Sequence, residues 1–433
     1  MCHTCAVAYP YPAYLVVATP PPPPARLFLP VEPKNSMEMF QVPARRWWWG
    51  LLALAALVVV TLGVTVYFAF IMSAFNPDVG GATTPSDFLI NNLSIVADIG
   101  ICTLIAWLFY RQGIGRLVSV VGHFRWRWFF ITVGIFAACY VVELAVFEFT
   151  GSSEGIDFSQ FSLQPHTWFI LVSILLTTPF QCAGEEFQAR ALLPRLVTAI
   201  VPVKGLGLVL SAVLPAAAFM WMHDAQDPWL NLNYFCFALL TWWLAFRTGG
   251  IEASIGLHMV NNLFSEADMP FTDISDMFDR SAGQGSPMVL VDVGCVLVMV
   301  IIVTLVARKR QEARLSSPAE SLATMPAPGQ MASAKRYDYA PVTSLVTAVL
   351  ALVSFVGILV AALIGGIDLV LLPLGVGMVC VGLAIAFGIP GIDAARNREA
   401  GHLGMAVAGL VVSGVLVLIV GVVVVVASLA AVS

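Results

Sequence analysis

Three short polar stretches interrupt the apolar runs between residues 168 and 264, at positions where apolar residues would be less costly. They supply carboxyl, imidazole and amide groups, which can activate water or bind a metal ion. In chain order they are Glu185, Glu186 and Arg190 in GEEFQAR, Phe219 and His223 in FMWMH, and His258, Asn261 and Asn262 in HMVNN. Ionisable groups inside apolar segments long enough to span a membrane usually mark a functional site, and we take that as the first hypothesis.

Helical spacing predicts how these groups are oriented. Residues four apart share a helix face, so Glu186 and Arg190 are expected to pair along their own helix. Glu185 then points about 100° away from Glu186 and faces a different neighbour. The same spacing places the imidazole of His258 and the amide of Asn262 on one side of their helix.

Hydrolysis of a peptide bond is the chemistry that these groups support. Phe219 and His223 share a helix face, with the aromatic ring beneath the imidazole. A carboxylate and a histidine can bind and deprotonate a water, with the carboxylate as general base. A second histidine and an asparagine amide can donate hydrogen bonds to the developing oxyanion. Two histidines and a glutamate would equally form a zinc site with an open position for water.

Each stretch alone also has a structural interpretation. A Glu-Glu pair near a helix end is often an interfacial charge pair. His223 precedes DAQDP and could equally be an exposed loop histidine. His258 could join helices through Asn262, as polar residues do in membranes. Independent accidents should not recur at three of four successive core segments, so the combination favours a functional site.

The composition identifies the kind of element that must position these groups. Of 433 residues, 59% are hydrophobic and 11% are charged, and the mean hydropathy is +0.89. A soluble protein carries about 25% charged residues. Apolar stretches of about 20 residues are long enough to cross a bilayer as helices. The chain is therefore predicted to be an all-α, polytopic transmembrane helical bundle. Its net charge of −5 and its lack of a basic patch argue against a nucleic-acid partner.

Eight hydrophobic segments are predicted before a linker, and three follow it. The seventh is short and polar, which suits a helix buried inside the bundle. The segments are 48–70, 88–110, 128–147, 168–182, 206–222, 230–246, 251–264 and 288–307, and then 342–364, 368–387 and 403–430. The predicted domains are a disordered Pro-rich cytoplasmic tail (1–44), the main bundle (45–307), a cytoplasmic linker (308–341) and a three-span membrane unit (342–433).

Loop charges predict the orientation. Alternate loops are rich in arginine or in acids, and only Arg280 breaks the alternation, so the N-terminus is expected to be cytoplasmic. The same topology puts Glu185 near the inner side and His223 at the outer end of its span. For the two to meet, one helix must be displaced, tilted or broken around a deep polar cavity.

The ordered motifs EExxxR, FxxxH and HxxxN resemble the CPBP family, the intramembrane proteases related to the CAAX prenyl endopeptidase Rce1 and to bacteriocin self-immunity (Abi) proteins. Here they read EEFQAR, FMWMH and HMVNN, with Ala191 where the family usually has glycine. The resemblance covers 168–264 by motif and the flanking spans by hydropathy. The Gly/Ala-rich C-terminal unit resembles a small actinobacterial membrane domain of unknown function, so a bacterial cell membrane is the expected location.

The resemblance implies an endopeptidase that acts on a membrane-associated peptide or protein and also implies a role for each motif residue. These roles are water activation by Glu185 and His223, oxyanion stabilisation by His258 and Asn262, and support by Glu186, Arg190 and Phe219. The resemblance leaves open whether Glu185, His223 and His258 hold a zinc ion.

Two other classes of function compete with this interpretation. One is a non-catalytic membrane scaffold or bacteriocin-immunity-type protein that keeps the fold and binds a partner. The other is a transporter that uses the buried glutamate and histidine groups as a proton relay. No inverted repeat pairs the two halves of the first unit, which argues against a transporter.

Overall fold

A computed structural model describes residues 30, 32–75, 83–150, 161–203, 205–316, 340–364, 377, 380–389, 391–392 and 403–416. Within these residues the regular secondary structure is helical, and two isolated β-bridges join Asn35 to Leu315 and Ser119 to Gly250. Six of the described helices are long and apolar enough to cross a membrane. The chain is thus a multi-pass, all-α membrane protein, as predicted.

The helices of the main bundle agree with the predicted segments to within a few residues, apart from the fourth. In chain order they are α1 (Trp47–Phe75), α2 (Pro85–Tyr110), α3 (Ile114–Val118), α4 (Trp126–Thr150), α5 (Thr167–Glu186), α6 (Leu193–Ile200), α7 (Leu206–Met222), α8 (Pro228–Thr248), α9 (Glu252–Ser265) and α10 (Val289–Lys309). Helix α3 is a short connector that the hydropathy pattern did not predict.

The fourth predicted segment ends too early. The chain continues from α5 through a π-helical turn, Phe187–Leu192, directly into α6, so the helical stretch runs over Thr167–Ile200. The prediction stopped at residue 182 because charges follow it. The structure buries Glu186 and Arg190 completely against each other, which removes the reason for the helix to end there.

Because of this longer helical stretch, Glu185 and Glu186 lie at about the same depth along the bundle as His223. At about 1.5 Å per residue, about 22 Å of helix separates Glu185 from Ile200, and about 26 Å separates His223 from Leu206. Ile200 and Leu206 lie on either side of one short connection. Glu185 therefore lies deep within its span, and the difficulty raised by the loop charges came from the misplaced helix end.

Helix α9 is short and almost wholly enclosed. Its residues from Glu252 to His258 are all buried, and it packs against α4, α5 and α8. The ion pair between Arg125 and Glu252, 2.8 Å long, fixes its first turn, and the Ile251 N–H donates to the Val118 carbonyl at 2.9 Å. The prediction of a polar helix inside the bundle is confirmed.

The residues before α1 pack against the bundle as far back as residue 34. Met37 and Phe40 are buried, Thr198 donates to the Met37 carbonyl at 2.6 Å, and Gln112 donates to the Met39 carbonyl at 2.8 Å. Residues 34–44 fall within the predicted tail, 1–44, whereas the structure places them on the bundle. Residues 1–29 lie outside the described residues.

Beyond the linker, three apolar helices are described, α11 (Ala340–Ile364), α12 (Cys380–Ile389) and α13 (Leu403–Leu416). Residues 317–339 and about half of the predicted spans 368–387 and 403–430 lie outside the described residues. Leu383 and Ala386 of α12 lie beside Gly100 of α2, and Phe387 belongs to the same apolar cluster as α2. Helix α12 of this unit therefore contacts α2, which in turn packs against α5.

Candidate active site

The imidazole of His258 lies between the two glutamates of the first motif. Its Nδ1 is 2.8 Å from Oε1 of Glu186, and its Nε2 is 3.5 Å from Oε2 of Glu185. His258 is only 4% exposed. Helical spacing predicted that the two glutamates would face different neighbours, but both carboxyl groups contact the same ring, on its opposite nitrogens.

Glu186 and Arg190 form the predicted pair along the helix. Arg190 Nη1 lies 3.1 Å from Glu186 Oε1, as an ion pair without hydrogen-bond alignment. Arg190 also donates from Nε to Thr241 Oγ1 at 2.8 Å and lies 4.3 Å over the Phe219 ring. Arg190 sits in the π-helical turn, a wider turn that often occurs at functional sites. Its cation neutralises the deeply buried Glu186.

His223 is held in one orientation by its own helix. Its Nδ1 lies 2.7 Å from the Phe219 carbonyl oxygen. A carbonyl oxygen only accepts, so Nδ1 must donate, and Nε2 of the neutral ring then carries a lone pair. The ring packs between Phe219 and Tyr234, with centroid distances of 4.5 Å and 4.0 Å. The predicted packing of Phe219 against His223 is present.

The structure also gives Arg280, the exception in the loop charges, a local contact. Arg280 follows α9 in the loop before α10 and donates from Nη1 to the His223 carbonyl at 3.1 Å. Its guanidinium lies 5.9 Å from the centroid of the Tyr234 ring, which stacks on His223. A cation in an otherwise acidic loop thus braces the end of α7.

The motifs of α5, α7 and α9 converge on one place. The Phe219 ring lies 4.5 Å from the His223 ring and 6.1 Å from the His258 ring. Glu185 and His223 are close enough for an electrostatic interaction between carboxylate and imidazole. Asn262 reaches α5 through Gln181, to which its amide donates at 3.3 Å.

Gln181 is a site residue that the sequence analysis missed. Its Nε2 donates to Glu185 Oε1 at 2.5 Å, while its Oε1 accepts from Asn262. Gln181 stands four residues before Glu185, so the helical spacing that paired Glu186 with Arg190 would also have identified it.

Two further buried acids lie near Glu185. Asp98 of α2 is 6% exposed, and Glu266, at the end of α9, accepts a hydrogen bond from Thr178 Oγ1 at 2.7 Å. Both interact electrostatically with Glu185. Burial raises the pKa of Glu266 to about 7. Asp98 is an acid within an apolar segment, which was a signal available from the sequence.

The three residues considered as possible zinc ligands do not have the arrangement that zinc needs. Within the described part of the chain, no three His, Cys, Asp or Glu side chains are grouped so that they could hold a metal ion. A catalytic zinc needs three protein ligands that converge on one point. Both ring nitrogens of His258 face carboxylates instead, so the donor set of Glu185, His223 and His258 does not fit a zinc ion as placed here.

Comparison with models of known protein families gives a match over the segment that holds the three motifs. Residues 166–264 match the family model described as Type II CAAX prenyl endopeptidase Rce1-like. The matched segment runs from the start of α5 to the end of α9 and contains all three motifs. Neither curated proteins nor solved structures give a match. The family predicted from the motifs is confirmed for this segment.

Proposed function

We propose that the chain is an intramembrane endopeptidase that cleaves a membrane-associated peptide or protein, because residues 166–264 match the Rce1-like family model. The observation that carries the proposal is the convergence of Glu185, His223 and His258, from three different helical segments, at one place. Burial of such groups is costly, and an arrangement for water activation explains it better than packing does.

Water activation is the first step that the geometry supports. Glu185 Oε1 accepts from Gln181, whereas Oε2 is buried and has no hydrogen-bond partner among the described residues. Oε2 is therefore the atom available to take a proton, and Nε2 of His223 offers a lone pair to orient the same water. As the water oxygen attacks the substrate carbonyl carbon, its proton passes to Glu185.

Stabilisation of the tetrahedral intermediate falls to His258 and Asn262. Negative charge moves to the former carbonyl oxygen, and N–H groups aimed at it lower the barrier. Since Nδ1 of His258 already donates to Glu186, the ring must carry both protons for Nε2 to donate as well. The C–N bond then breaks, and the proton held by Glu185 passes to the leaving nitrogen.

The supporting pair has a defined task in this scheme. Glu186 accepts from Nδ1 of His258 on its Oε1, and the guanidinium of Arg190 lies beside the same oxygen and neutralises the carboxylate. Phe219 packs under Arg190 and beside both imidazoles. Together they hold the ring of His258 in the orientation that points Nε2 at Glu185.

The cellular setting remains part of the proposal. We place the N-terminus in the cytoplasm, on the loop charges, and the protein in a bacterial cell membrane. Residues 45–307 form the catalytic bundle, 308–341 the linker and 342–433 the additional membrane unit. Zinc is not used in any step, because the donor set does not fit it.

Quantitative profiling of protein N-termini in membranes tests the activity. Cells express wild type, Glu185→Gln or Glu32→Gln at matched levels, and Glu32 is an exposed glutamate that serves as the control. New termini are expected with wild type and Glu32→Gln and are expected to be absent with Glu185→Gln. The amide keeps the size of the side chain but cannot take a proton from water.

The opposite outcomes identify the competing functions. Equal termini in all three membranes, with every protein inserted, would show that the site is idle and would favour the scaffold or immunity-type protein. Proton-coupled flux that disappears in Glu185→Gln, without new termini in wild type, would favour the transporter.

A further inference from the structure

A continuous chain of hydrogen bonds connects α4 to Glu185. Tyr140 donates from its hydroxyl to Asn261 Oδ1 at 2.6 Å, and Asn261 Nδ2 donates to Asn262 Oδ1 at 3.2 Å. Asn262 Nδ2 donates to Gln181 Oε1 at 3.3 Å, and Gln181 Nε2 donates to Glu185 Oε1 at 2.5 Å. The chain passes from α4 through two neighbouring residues of α9 to α5.

In every hydrogen bond of this chain the donor lies on the side of Tyr140 and the acceptor on the side of Glu185. The two end groups, the tyrosine hydroxyl and the carboxylate, determine this direction. An ionised carboxylate only accepts, so Gln181 must present its NH₂ group to Glu185 and its oxygen to Asn262. Asn262 must then turn its NH₂ group towards α5 and its oxygen towards Asn261. The Tyr140 hydroxyl satisfies the remaining oxygen, on Asn261.

We propose that Tyr140, Asn261 and Gln181 are positioning residues, which together orient the Asn262 amide and the Glu185 carboxylate for hydrolysis. This inference rests on the proposed function. The three residues lie outside the EExxxR and FxxxH motifs and outside the two named positions of HxxxN. Without them, Asn262 could present its oxygen to the substrate oxyanion, which would repel it.

At Glu185 the chain selects one carboxylate oxygen for the reaction. Gln181 occupies Oε1 and leaves Oε2 opposite Nε2 of His258. Removal of the Gln181 donor frees the carboxyl group to rotate, so that either oxygen, or neither, faces the water. Gln181 is 6% exposed, so a solvent molecule does not readily replace its donor.

Tyr140 allows a clean test because its ring and its hydroxyl have separate contacts. The ring stacks on Phe264 with a centroid distance of 5.3 Å and an interplanar angle of 27°. Tyr140→Phe keeps this packing and removes only the hydrogen bond to Asn261. Asn261→Asp is nearly isosteric, accepts from Tyr140 and cannot donate to Asn262. Tyr140→Phe removes the bond between Tyr140 and Asn261, and Asn261→Asp removes the next bond, between Asn261 and Asn262.

The test measures kcat and KM of the purified full-length protein in nanodiscs, on a synthetic peptide that spans the bond identified by N-terminal profiling. We expect kcat to fall about tenfold in Tyr140→Phe and in Asn261→Asp, and more in Gln181→Leu, with KM little changed. Tyr67→Phe, an exposed tyrosine of α1, is the control and should keep the wild-type kcat. Because the residues act through one chain, Tyr140→Phe should add little to the loss in Gln181→Leu.

The outcomes separate this inference from the function on which it rests. If wild type cleaves and Glu185→Gln does not, but Tyr140→Phe and Asn261→Asp keep the wild-type kcat, the positioning role is wrong. A lower melting temperature with unchanged kcat would show a structural role only, and fully additive losses would show that the residues act separately. If no Glu185-dependent terminus appears, the proposed function fails, and this inference fails with it.

Discussion

Glu186 and Arg190 face each other where neither side chain reaches solvent. Arg190→Met should destabilise the protein by about 3–5 kcal/mol, because it leaves a buried carboxylate without its cation. The double variant Glu186→Gln/Arg190→Met should recover most of this loss, since it removes both charges. Thermal unfolding in detergent measures both effects. If the single variant were as stable as the double variant, Glu186 would not depend on Arg190 for its charge balance.

Glu266 gives the fold a dependence on pH. Burial, opposed in part by the Thr178 hydrogen bond and by His258, raises its pKa from an ordinary value near 4.5 to about 7, and Glu185 adds to the rise. Between these values the folded state holds a proton that the unfolded state has lost, so stability falls as pH rises. Glu266→Gln should therefore lose less stability than wild type between about pH 5 and about pH 8, measured by thermal unfolding. An equal loss in both proteins would contradict this assignment.

The success of sequence reasoning at single residues depended on whether both partners share a helix. Glu186 with Arg190, and Phe219 with His223, lie four apart, so their contacts follow from helical geometry. The meeting of both glutamates at His258 depends instead on how α9 packs against α5, which spacing does not determine. A lone tyrosine in an apolar helix, Tyr140, likewise gave no sign of its hydrogen bond to Asn261.

At the scale of elements, the position of Glu185 depends on how closely α5 approaches α2. A Cβ atom built at Gly184 would collide with the backbone carbonyl oxygen of Ile95. Backbone atoms cannot move aside as a flexible side chain can, so only a glycine lets these two helices meet at this point. The residue beside Glu185 therefore determines its distance from Asp98 and from the rest of α2.

Gly184→Ala should force α5 away from α2, lower the melting temperature and reduce cleavage by moving Glu185 away from His258. A shift of about 1 Å can cost about a hundredfold in rate. Gly134→Ala on α4 is the matched control, because a Cβ atom there meets nothing within 4 Å. Equal behaviour of the two variants would show that α5 and α2 tolerate a wider separation.

The ends of elements were harder to predict than their existence. The apolar run before residue 182 correctly indicated a helix, but charges beyond it suggested an end. Glu186 is neutralised by Arg190 within the same helical stretch and accepts a hydrogen bond from His258 of α9, and the latter contact is tertiary. The polarity of α9, in contrast, was informative, because a short helix with buried polar groups must lie inside the bundle.

At the scale of the whole molecule, the segment before α1 is tied to the residues that follow α10. The Ser316 N–H donates to the Lys34 carbonyl at 2.8 Å, and an antiparallel bridge joins Asn35 to Leu315. Ser36 donates to the Ala245 carbonyl at the end of α8. Both ends of the main bundle therefore close on each other at one face, although they are far apart in the sequence.

Met37 lies at the centre of this closure and is fully buried. Met37→Asp should destabilise the bundle by several kcal/mol, because it places an unpaired charge in an apolar cluster. Met37→Leu, which keeps the volume and polarity, should cost less than about 1.5 kcal/mol. Thermal unfolding of the two full-length variants distinguishes these effects. Equal melting temperatures would show that residues 34–40 rest on the bundle without stabilising it, and that the closure between its two ends is not needed to hold α5, α7 and α9 together.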